Sequence, residues 1–260
     1  MLFDTHMHAE YSCDAHQTIV EAIEAAKIAG IGIILTEHWD SDYPTNPAEF
    51  KFDVQDYFAK NNKYRSEAVL LGIEVGMQQH VAELDNATIQ AYPFDEVIAS
   101  MHCVHGRDMY EPTSYEGLSK EVAVKEYLED SIACLQVYKN FDTYGHIDYI
   151  SRYMPYKDQE LYYHEHSQLW DQVFKLLINN DKAIEINTRR LEFDGVVENL
   201  MVLYKRFQEL GGRYVTLGSD AHYSEHVGRG LESALEIAHQ CNLQPVYFKE
   251  RKRMVMKEGE

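Results

Sequence analysis

Several features are scarce in this chain, and each scarcity argues against a class of protein. Four cysteines occur among the 260 residues and none forms a Cys-x-x-Cys pair, which argues against a disulfide framework and favours reduced thiols. No signal-peptide pattern begins the chain, and no apolar run reaches the roughly 18 residues of a membrane helix. We therefore expect a soluble cytoplasmic protein whose cysteines pack in the core or support other side chains; they are Cys13, Cys103, Cys134 and Cys241.

Basic residues are scarce as well. The chain has 24 lysines and arginines against 43 acidic residues, a formal net charge of −19. Such a surface repels nucleic-acid phosphates and anionic lipids, so we expect no nucleic-acid or membrane partner unless a local group such as a metal ion reverses the sign. A short basic segment near the C-terminus, KERKRMVMK at 249–257, is typical of a solvated surface.

Strand-like segments alternate with helical patterns along the whole chain. Thr18 and Glu21 have the spacing of a capping box, and the apolar spacing that follows predicts a helix from Ile19 to Gly30. Seven strands are predicted, within 2–8, 30–38, 68–76, 94–102, 142–148, 182–187 and 213–222. They predict an α/β fold with a closed or nearly closed parallel barrel, although a doubly wound open sheet has the same local pattern. No linker or repeat interrupts the chain, so 1–260 is predicted to be one domain.

Nearly every predicted strand ends in a residue type that binds metal ions. These residues are His6, His8, Glu37, His38, Glu74, His102, His146, Asp220 and His222. The C-terminal ends of parallel strands converge in a barrel, and His-x-His on a strand directs both rings to one side. A lone strand-end histidine is more often a hydrogen-bonded core residue, but the coincidence over so many strands favours a cluster suited to Zn²⁺, Fe²⁺ or Mn²⁺.

The motifs at these strand ends carry a family resemblance. In chain order they are DTHMH (4–8), TEHW (36–39), GIEVG (72–76), SMH (100–102), GHID (145–148) and GSDAH (218–222). This ordered set resembles the polymerase and histidinol phosphatase (PHP) superfamily, and within it the histidinol phosphatase branch. The resemblance implies a distorted seven-stranded (β/α) barrel of the TIM type and a site for two to three divalent ions of zinc, iron or manganese.

The resemblance also implies roles for individual residues. One metal would be held by His6, His8, Glu74 and Asp220, a second by the bridging Glu74 with His102 and His146, and a third by Asp14, His38 and His222. Asp14 stands where other members of the superfamily carry histidine. Catalysis is assigned to Glu74, Asp220 and His222, and phosphate binding to Arg152 and Arg189, with His105 near enough to touch substrate.

Residues beside these positions have open interpretations. His16 is either a substitute ligand or a solvated residue, while Glu37 and Asp4 are candidates to accept hydrogen bonds that orient imidazoles. Asn187 and Tyr153 are candidates to line the pocket. For Arg190 and Arg107, a surface salt bridge is at least as good an interpretation as a role in the site.

The activity implied by the resemblance is hydrolysis of L-histidinol phosphate to L-histidinol and phosphate, a step of histidine biosynthesis. One alternative is a PHP phosphoesterase for another small phosphorylated metabolite or a nucleotide. A second is an amidohydrolase-type deaminase, which usually carries a carboxylated lysine where this chain has Glu74. A non-enzymatic metal-binding module is disfavoured by the intact ligand set, and a homo-oligomer remains possible.

Overall fold

The computed structural model describes residues 1–257, in which strands and α-helices largely alternate. The strands are β1 (Phe3–Asp4), β2 (Gly32–Trp39), β3 (Val69–Gly76), β4 (Val97–Ser100), β5 (Cys103–Val104), β6 (Arg107–Asp108), β7 (Thr143–Tyr144), β8 (Ala183–Asn187), β9 (Tyr214–Gly218), β10 (Gln244–Lys249) and β11 (Lys252–Val255). The helices are α1 (Ile19–Ala29), α2 (Val54–Asn61), α3 (Ala82–Ala91), α4 (Lys120–Val137), α5 (Ser167–Asn179), α6 (Val196–Glu209) and α7 (Leu231–Gln240).

Seven parallel strands form the barrel in the order β1, β2, β3, β4, β7, β8 and β9. The chain segments that follow β1 and β9 bring the two edges together through a parallel bridge between Met7 and Ala221. Thr5 N donates to Leu217 O at 2.9 Å and His8 N to Ala221 O at 2.9 Å, which joins these segments along the rim. The α/β barrel predicted from the sequence is confirmed.

Two further strands extend this sheet beyond the barrel, and the sequence pattern did not predict them. β10 runs parallel to β9, and β11 pairs with β10 in the antiparallel sense. The basic segment at 249–257 is therefore partly an edge strand, and β11 is largely exposed, as a solvated surface requires. Its arginines hold neighbouring loops, since Arg251 bonds the Asp142 carboxylate and Arg253 donates to Asp181 O at 2.7 Å.

Local sequence signals account for the first βα unit. The Thr18–Glu21 capping box is present, helix α1 buries Ile19, Ala22, Ile23 and Ala26, and it ends where Gly30 adopts a φ of 70°. Strand β9 is shorter than predicted because it ends at Gly218. Asp220 then adopts a left-handed φ of 54°, which takes the GSDAH segment out of the strand conformation.

Buried apolar residues from β1 to the C-terminal segment form the main core, with Trp170, Tyr57 and Tyr127 among its largest members. Cys103, Cys134 and Cys241 are buried as expected, whereas Cys13 is exposed. The expectation for Cys13 was wrong because it lies in the loop between β1 and α1, beside the half-exposed Asp14. Within the described part of the chain, every helix is too short or too polar to span a lipid bilayer.

Candidate metal centre

The C-terminal ends of the barrel strands surround one cavity of about 440 Å³. The register of β2 and β3 pairs His38 with Glu74, so both side chains reach the same end of the barrel. The strictly parallel pairing of the seven strands explains this convergence, because all their C-terminal ends lie at one rim. The structure thus gathers the nine residues to which the resemblance gave ligand roles, which are Asp14 and eight of the strand-end residues, His6, His8, His38, Glu74, His102, His146, Asp220 and His222.

Glu74 lies at the centre of the cluster and is completely buried. Its Oε1 faces three imidazoles, at 2.9 Å from His146 Nε2, 3.2 Å from His102 Nε2 and 3.3 Å from His6 Nε2. Its Oε2 faces two more, at 2.9 Å from His38 Nδ1 and 3.5 Å from His8 Nε2. A carboxylate with neighbours on both oxygens has the geometry of a bridging ligand.

Two aspartates complete the cluster. Asp220 Oδ1 lies 3.5 Å from His8 Nε2 and 3.9 Å from His6 Nε2. Asp14 Oδ2 lies 3.1 Å from His222 Nε2 and 3.5 Å from His38 Nε2. Asp14 is about two-fifths exposed. It lies between His38 and His222, the two histidines with which the family resemblance grouped it.

Within residues 1–257, four overlapping groups could each hold a metal ion, with ligand atoms within 4.8 Å of one another. They are His8, His38 and His222; His6, His8 and Glu74; His6, His146 and Asp220; and His38, Glu74 and His102. The overlap means that His6, His8, His38 and Glu74 each belong to two groups. The arrangement suits several neighbouring cations better than one.

The donor atoms themselves fit a cation. Among the described residues, His6 Nε2, His8 Nε2, His38 Nδ1 and Glu74 Oε2 are buried and make no hydrogen bond. A buried polar atom left without a partner costs roughly 1–3 kcal/mol, and proteins rarely leave several together. Imidazole nitrogens and carboxylate oxygens are the ligand types that zinc, iron and manganese accept.

A layer of hydrogen bonds behind the cluster orients the imidazoles. Glu185 accepts from His6 Nδ1 at 2.7 Å, and Asp40 accepts from His102 Nδ1 at 2.7 Å. Such contacts fix the ring orientation and leave Nε2 as the free acceptor. Glu185 and Asp40 were not predicted from the sequence; the available signals were an acid inside the apolar strand KAIEIN and an acid two residues after His38.

Ser12 orients a third imidazole, that of His8, and the Ser12 hydroxyl is itself held by Glu37. Ser12 Oγ donates its hydrogen to Glu37 Oε2 at 2.6 Å, so His8 Nδ1, at 3.1 Å, must donate to Ser12. Burial raises the pKa of Glu37 to about 7. The orienting role suggested for Glu37 is thus indirect.

Asp4 has a different role from the one the sequence suggested. Its carboxylate accepts from the backbone N–H groups of Ser219 at 2.9 Å and Gly228 at 2.8 Å. Burial raises the pKa of Asp4 to about 6. The suggestion that Asp4 orients an imidazole was wrong; it holds the loop after β9 through main-chain contacts.

Two glycines make room for the orienting carboxylates. A Cβ at Gly218 would lie 2.1 Å from Glu185 Oε1, and one at Gly76 would lie 1.8 Å from Asp40 Oδ1. Any side chain at either position would displace the carboxylate that holds His6 or His102. These close approaches give a physical reason for the glycines in the GIEVG and GSDAH segments.

Opposite charges stabilise one another inside the cluster. Burial alone would raise the pKa of Glu74, but the imidazoles of His6, His102 and His38 hold it well below its usual range. Burial likewise opposes a charged His6, yet Glu185, Glu74 and Asp220 raise its pKa well above the usual value. Because ligands must release protons to bind a metal ion, metal affinity at this cluster depends on pH.

Two arginines lie at the edge of the cluster. Arg152 is almost fully buried, and its Nη1 and Nη2 donate to Asp220 Oδ2 at 2.6 Å and Asn187 Oδ1 at 2.9 Å. Arg189 is about half exposed, and its Nη1 lies 3.7 Å from Asp220 Oδ2. Both arginines line the cavity, so two guanidinium groups lie beside the cluster of imidazoles and carboxylates.

Acidic and aromatic side chains line the rest of the cavity. They are Tyr43, Glu49, Phe50, Asp108, Tyr110, Glu111, Tyr149 and Tyr153. Tyr149 lies in the same 3₁₀ turn as Arg152, whose guanidinium lies over its ring at 5.5 Å. Tyr110 packs against Tyr153 with ring centroids 5.1 Å apart. We call Asp108 and Glu111 the acidic wall of the cavity.

Three residues singled out from the sequence lie outside this arrangement. His105 occupies the turn between β5 and β6, where its backbone N donates to Asp130 Oδ2 at 2.8 Å, and it does not line the cavity. The ring of His16 stacks on Tyr223 at 4.7 Å. Arg107 forms a salt bridge with Glu126, as one of its two interpretations held.

Comparison with known proteins agrees with this geometry. A protein-family model described as the PHP domain matches residues 4–189. The probable histidinol-phosphatase of Clostridium acetobutylicum is 46% identical over 251 residues, which cover 96% of this chain and 98% of that protein. The histidinol-phosphatase of Lactococcus lactis subsp. lactis is 32% identical over 232 residues, covering 85% and 84% of the two chains.

A solved structure is similar over nearly the whole fold. The crystal structure of histidinol phosphate phosphatase from Lactococcus lactis subsp. lactis, complexed with zinc, L-histidinol and phosphate, has a TM-score of 0.92 with this chain at 28% sequence identity. The match covers 97% of this chain and 98% of that one. Together with the match to residues 4–189, this similarity shows that the chain belongs to the PHP family.

Proposed function

We propose that this protein is a metal-dependent phosphomonoesterase that hydrolyses L-histidinol phosphate to L-histidinol and phosphate. The observation that carries the proposal is the composition of one cavity: a cluster of imidazoles and carboxylates, two arginines beside it, and further acidic and aromatic residues in its lining. Relatives named as histidinol-phosphatases, one of 46% identity over almost the whole chain, support the same substrate.

The ligand roles are part of this proposal. We assign His6, His8, Glu74 and Asp220 to one cation, Glu74, His102 and His146 to a second, and Asp14, His38 and His222 to a third. The short distances from both Glu74 oxygens to surrounding imidazoles support a bridging role for that carboxylate. Zinc in the similar crystal structure supports a divalent metal of this type.

Arg152 and Arg189 would bind the phosphate group. Guanidinium forks match phosphate oxygens better than ammonium groups do, and charge-assisted bonds of this kind are about twice as strong as neutral ones. Arg152 Nε is buried and makes no hydrogen bond within residues 1–257, so the side chain retains an unused donor. Asn187 Oδ1 accepts from both Arg152 Nη2 and the backbone N of Arg189, which holds the two arginines on the same side.

The acidic wall would bind the amino and imidazole end of the substrate. Asp108 and Glu111 supply carboxylates, and the ring of Tyr110 supplies an aromatic face that attracts cations. L-Histidinol phosphate has its negative charge at one end and its positive charge at the other. The two arginines and the carboxylates of Asp108 and Glu111 supply the complementary charges.

The chemistry follows from these positions. Divalent cations bound at the cluster would polarise the phosphoryl oxygens and lower the pKa of water to near neutrality. Arg152 and Arg189 would neutralise charge on the phosphate and hold it in line for attack by water at phosphorus. The bond between phosphorus and the histidinol oxygen then breaks, giving the alcohol and inorganic phosphate without a covalent enzyme intermediate. We retain Glu74, Asp220 and His222 as the catalytic residues.

Other properties belong to the same proposal. We propose that residues 1–260 form one domain that acts in the cytoplasm on a small phosphorylated metabolite and binds no nucleic acid. The formal charge of −19 supports the last point, since it repels polyanions. A homo-oligomer is compatible with the proposal, which requires no residue from a second copy.

Phosphate release by the metal-loaded protein tests the proposed substrate. L-Histidinol phosphate is compared with p-nitrophenyl phosphate, AMP and a sugar phosphate, and we expect kcat/KM of about 10⁴ M⁻¹s⁻¹ or more for the first, well above the rest. The double variant Asp108→Asn, Glu111→Gln should lose this preference while keeping its activity on p-nitrophenyl phosphate. Flat activity across the panel would contradict the substrate, and ammonia release without phosphate release would favour the deaminase alternative.

A further inference from the structure

Arg190 is a buried arginine whose two terminal nitrogens bond carboxylates from distant segments. Its Nη1 donates to Asp148 Oδ2 at 3.0 Å and its Nη2 to Glu160 Oε1 at 2.5 Å. The arginine side chain is only about 10% exposed, and that of Asp148 only 4%. The surface salt bridge considered for Arg190 is therefore incorrect, because this ion pair lies inside the protein.

The two segments joined in this way carry the arginines assigned to phosphate. Asp148 directly precedes the short 3₁₀ turn Tyr149–Arg152, and its carbonyl oxygen accepts from Ser151 N at 3.0 Å within that turn. Arg190 follows Arg189 in the loop after β8. One guanidinium group thus connects the turn that ends in Arg152 to the loop that carries Arg189.

Glu160 adds a third segment to this connection. It lies in the long stretch between the 3₁₀ turn and helix α5, and its second oxygen accepts from Asn199 Nδ2 of helix α6 at 3.4 Å. Arg190 itself does not line the cavity. Its position is behind the phosphate-binding arginines, where it is shielded from substrate.

The chemistry of this contact depends on the shape of arginine. A guanidinium presents its donors in a rigid planar fork and can serve two carboxylates at once, whereas the ammonium of lysine is a compact point charge on a flexible stem. Removing the arginine would leave Asp148 as a buried charge without its partner, and the turn carrying Arg152 would then shift to solvate it.

We propose that Arg190 is a positioning residue of the phosphate subsite: it fixes the spacing of Arg152 and Arg189, and so the affinity for the phosphate end of the substrate, without touching the substrate. This inference rests on the proposed phosphatase function. It predicts an effect confined to one end of the cavity, because the acidic wall formed by Asp108 and Glu111 belongs to other loops.

The test compares Arg190→Gln and Arg190→Lys with a matched control, Arg206→Gln. Arg206 also bonds two carboxylates, Asp171 and Glu209, but it does so on the outer helices. For each metal-loaded full-length variant, kcat and KM are measured with L-histidinol phosphate, and inhibition constants are measured with inorganic phosphate and with L-histidinol. Metal content is determined in parallel.

For Arg190→Gln we expect KM and the phosphate inhibition constant to rise together by about tenfold or more, since misplacing a positioning group by ~1 Å can cost ~100-fold. The inhibition constant of L-histidinol and the metal content should stay within about twofold, because these report other parts of the site, while kcat should fall by no more than the phosphate affinity does. Arg190→Lys should restore part of the phosphate affinity, and Arg206→Gln should match the wild type.

Glu160→Gln keeps the inference testable if Arg190→Gln does not fold. It weakens one arm of the contact and leaves Arg190 paired with Asp148, so we expect a smaller, phosphate-selective rise. Equal losses for phosphate and L-histidinol, or wild-type constants in both variants, would overturn the positioning role. If the wild-type enzyme hydrolyses no phosphomonoester, the proposed function fails instead, and calorimetric titration of the same variants with inorganic phosphate still decides the role of Arg190.

Discussion

Replacing Glu185 by glutamine is the sharpest test of how the imidazoles are held. Glu185 Oε1 accepts from His6 Nδ1 at 2.7 Å, and Oε2 accepts from the backbone N of His146 at 2.6 Å and from Asn187 Nδ2 at 3.2 Å. Every partner is a donor, and the completely buried carboxylate supplies acceptors alone. Glutamine has the same shape but must present an amide N–H₂ at one of the two positions.

Neither orientation of the glutamine amide is satisfactory. With its N–H₂ toward His146 and Asn187, donors face donors, and a buried donor without an acceptor costs about 1–3 kcal/mol. With its N–H₂ toward His6, the ring must accept at Nδ1 and carry its proton on Nε2, the nitrogen that faces Glu74 at 3.3 Å. Since contacts behind a ligand typically contribute about 10–100-fold to metal affinity, we expect a loss of that size, roughly 1.4–2.8 kcal/mol.

Competition between the protein and a chromophoric zinc chelator measures this effect. Glu96→Gln is the matched control, because Glu96 is also completely buried but its hydrogen bond comes from the Thr143 hydroxyl at 2.7 Å and not from an imidazole. We expect Glu185→Gln to bind zinc more weakly and Glu96→Gln to bind it as the wild type does. Unchanged zinc affinity in Glu185→Gln, or an equal loss in both variants, would refute the reasoning.

Three further predictions concern the proposed bridging carboxylate Glu74, the phosphate subsite, and Glu96, the buried acid that directly precedes β4. Glu74→Gln should lower kcat about 1,000-fold, since the metal site supplies several kcal/mol of transition-state stabilisation, with the circular dichroism spectrum unchanged; normal kinetics would contradict the bridge. Arg152→Ala and Arg189→Ala should each raise KM about 10–100-fold through loss of a charge-assisted hydrogen bond; unchanged steady-state constants in both would move the phosphate elsewhere. Burial raises the pKa of Glu96 well above 4.5, so the wild type should lose folding stability as pH rises above that value, and the advantage of Glu96→Gln in urea unfolding should grow with pH; a pH-independent difference would refute this.

The sequence predicts the barrel and most of the proposed ligands because those residues follow apolar strands, where local pattern specifies their place. Asp14, in the loop after β1, was grouped with His38 and His222 by the family resemblance alone. His38 and Glu74 illustrate this: both end apolar strands, and the parallel register brings them side by side. The orienting residues follow no such local rule. Glu185 reaches His6 across 179 positions of the chain, and its role depends on Gly218 leaving room in the neighbouring strand.

The same limit explains two of the interpretations that the structure changes. The sequence does not indicate that Arg190 is buried, because its acidic partners, Asp148 and Glu160, are 42 and 30 positions away. The sequence predicts that His105 lies near the substrate because it is three positions after His102. In the structure it lies in the turn of the β5–β6 hairpin, outside the lining of the cavity. Sequence distance to a ligand is a poor guide where a tight turn intervenes.

The charge distribution of the cavity also bears on how an acidic protein selects its substrate. With a net charge of −19, the chain as a whole repels a phosphate dianion, so attraction must come from the local cations of the site. Arg152 and Arg189 supply such cations beside the ligand cluster, while Asp108 and Glu111 add carboxylates to the lining of the cavity. A nucleotide or sugar phosphate places no positive charge against those carboxylates, and the unpaired acidic wall disfavours it. The acidic wall, which contributes nothing to phosphate binding, is therefore the part of the site that we expect to determine specificity.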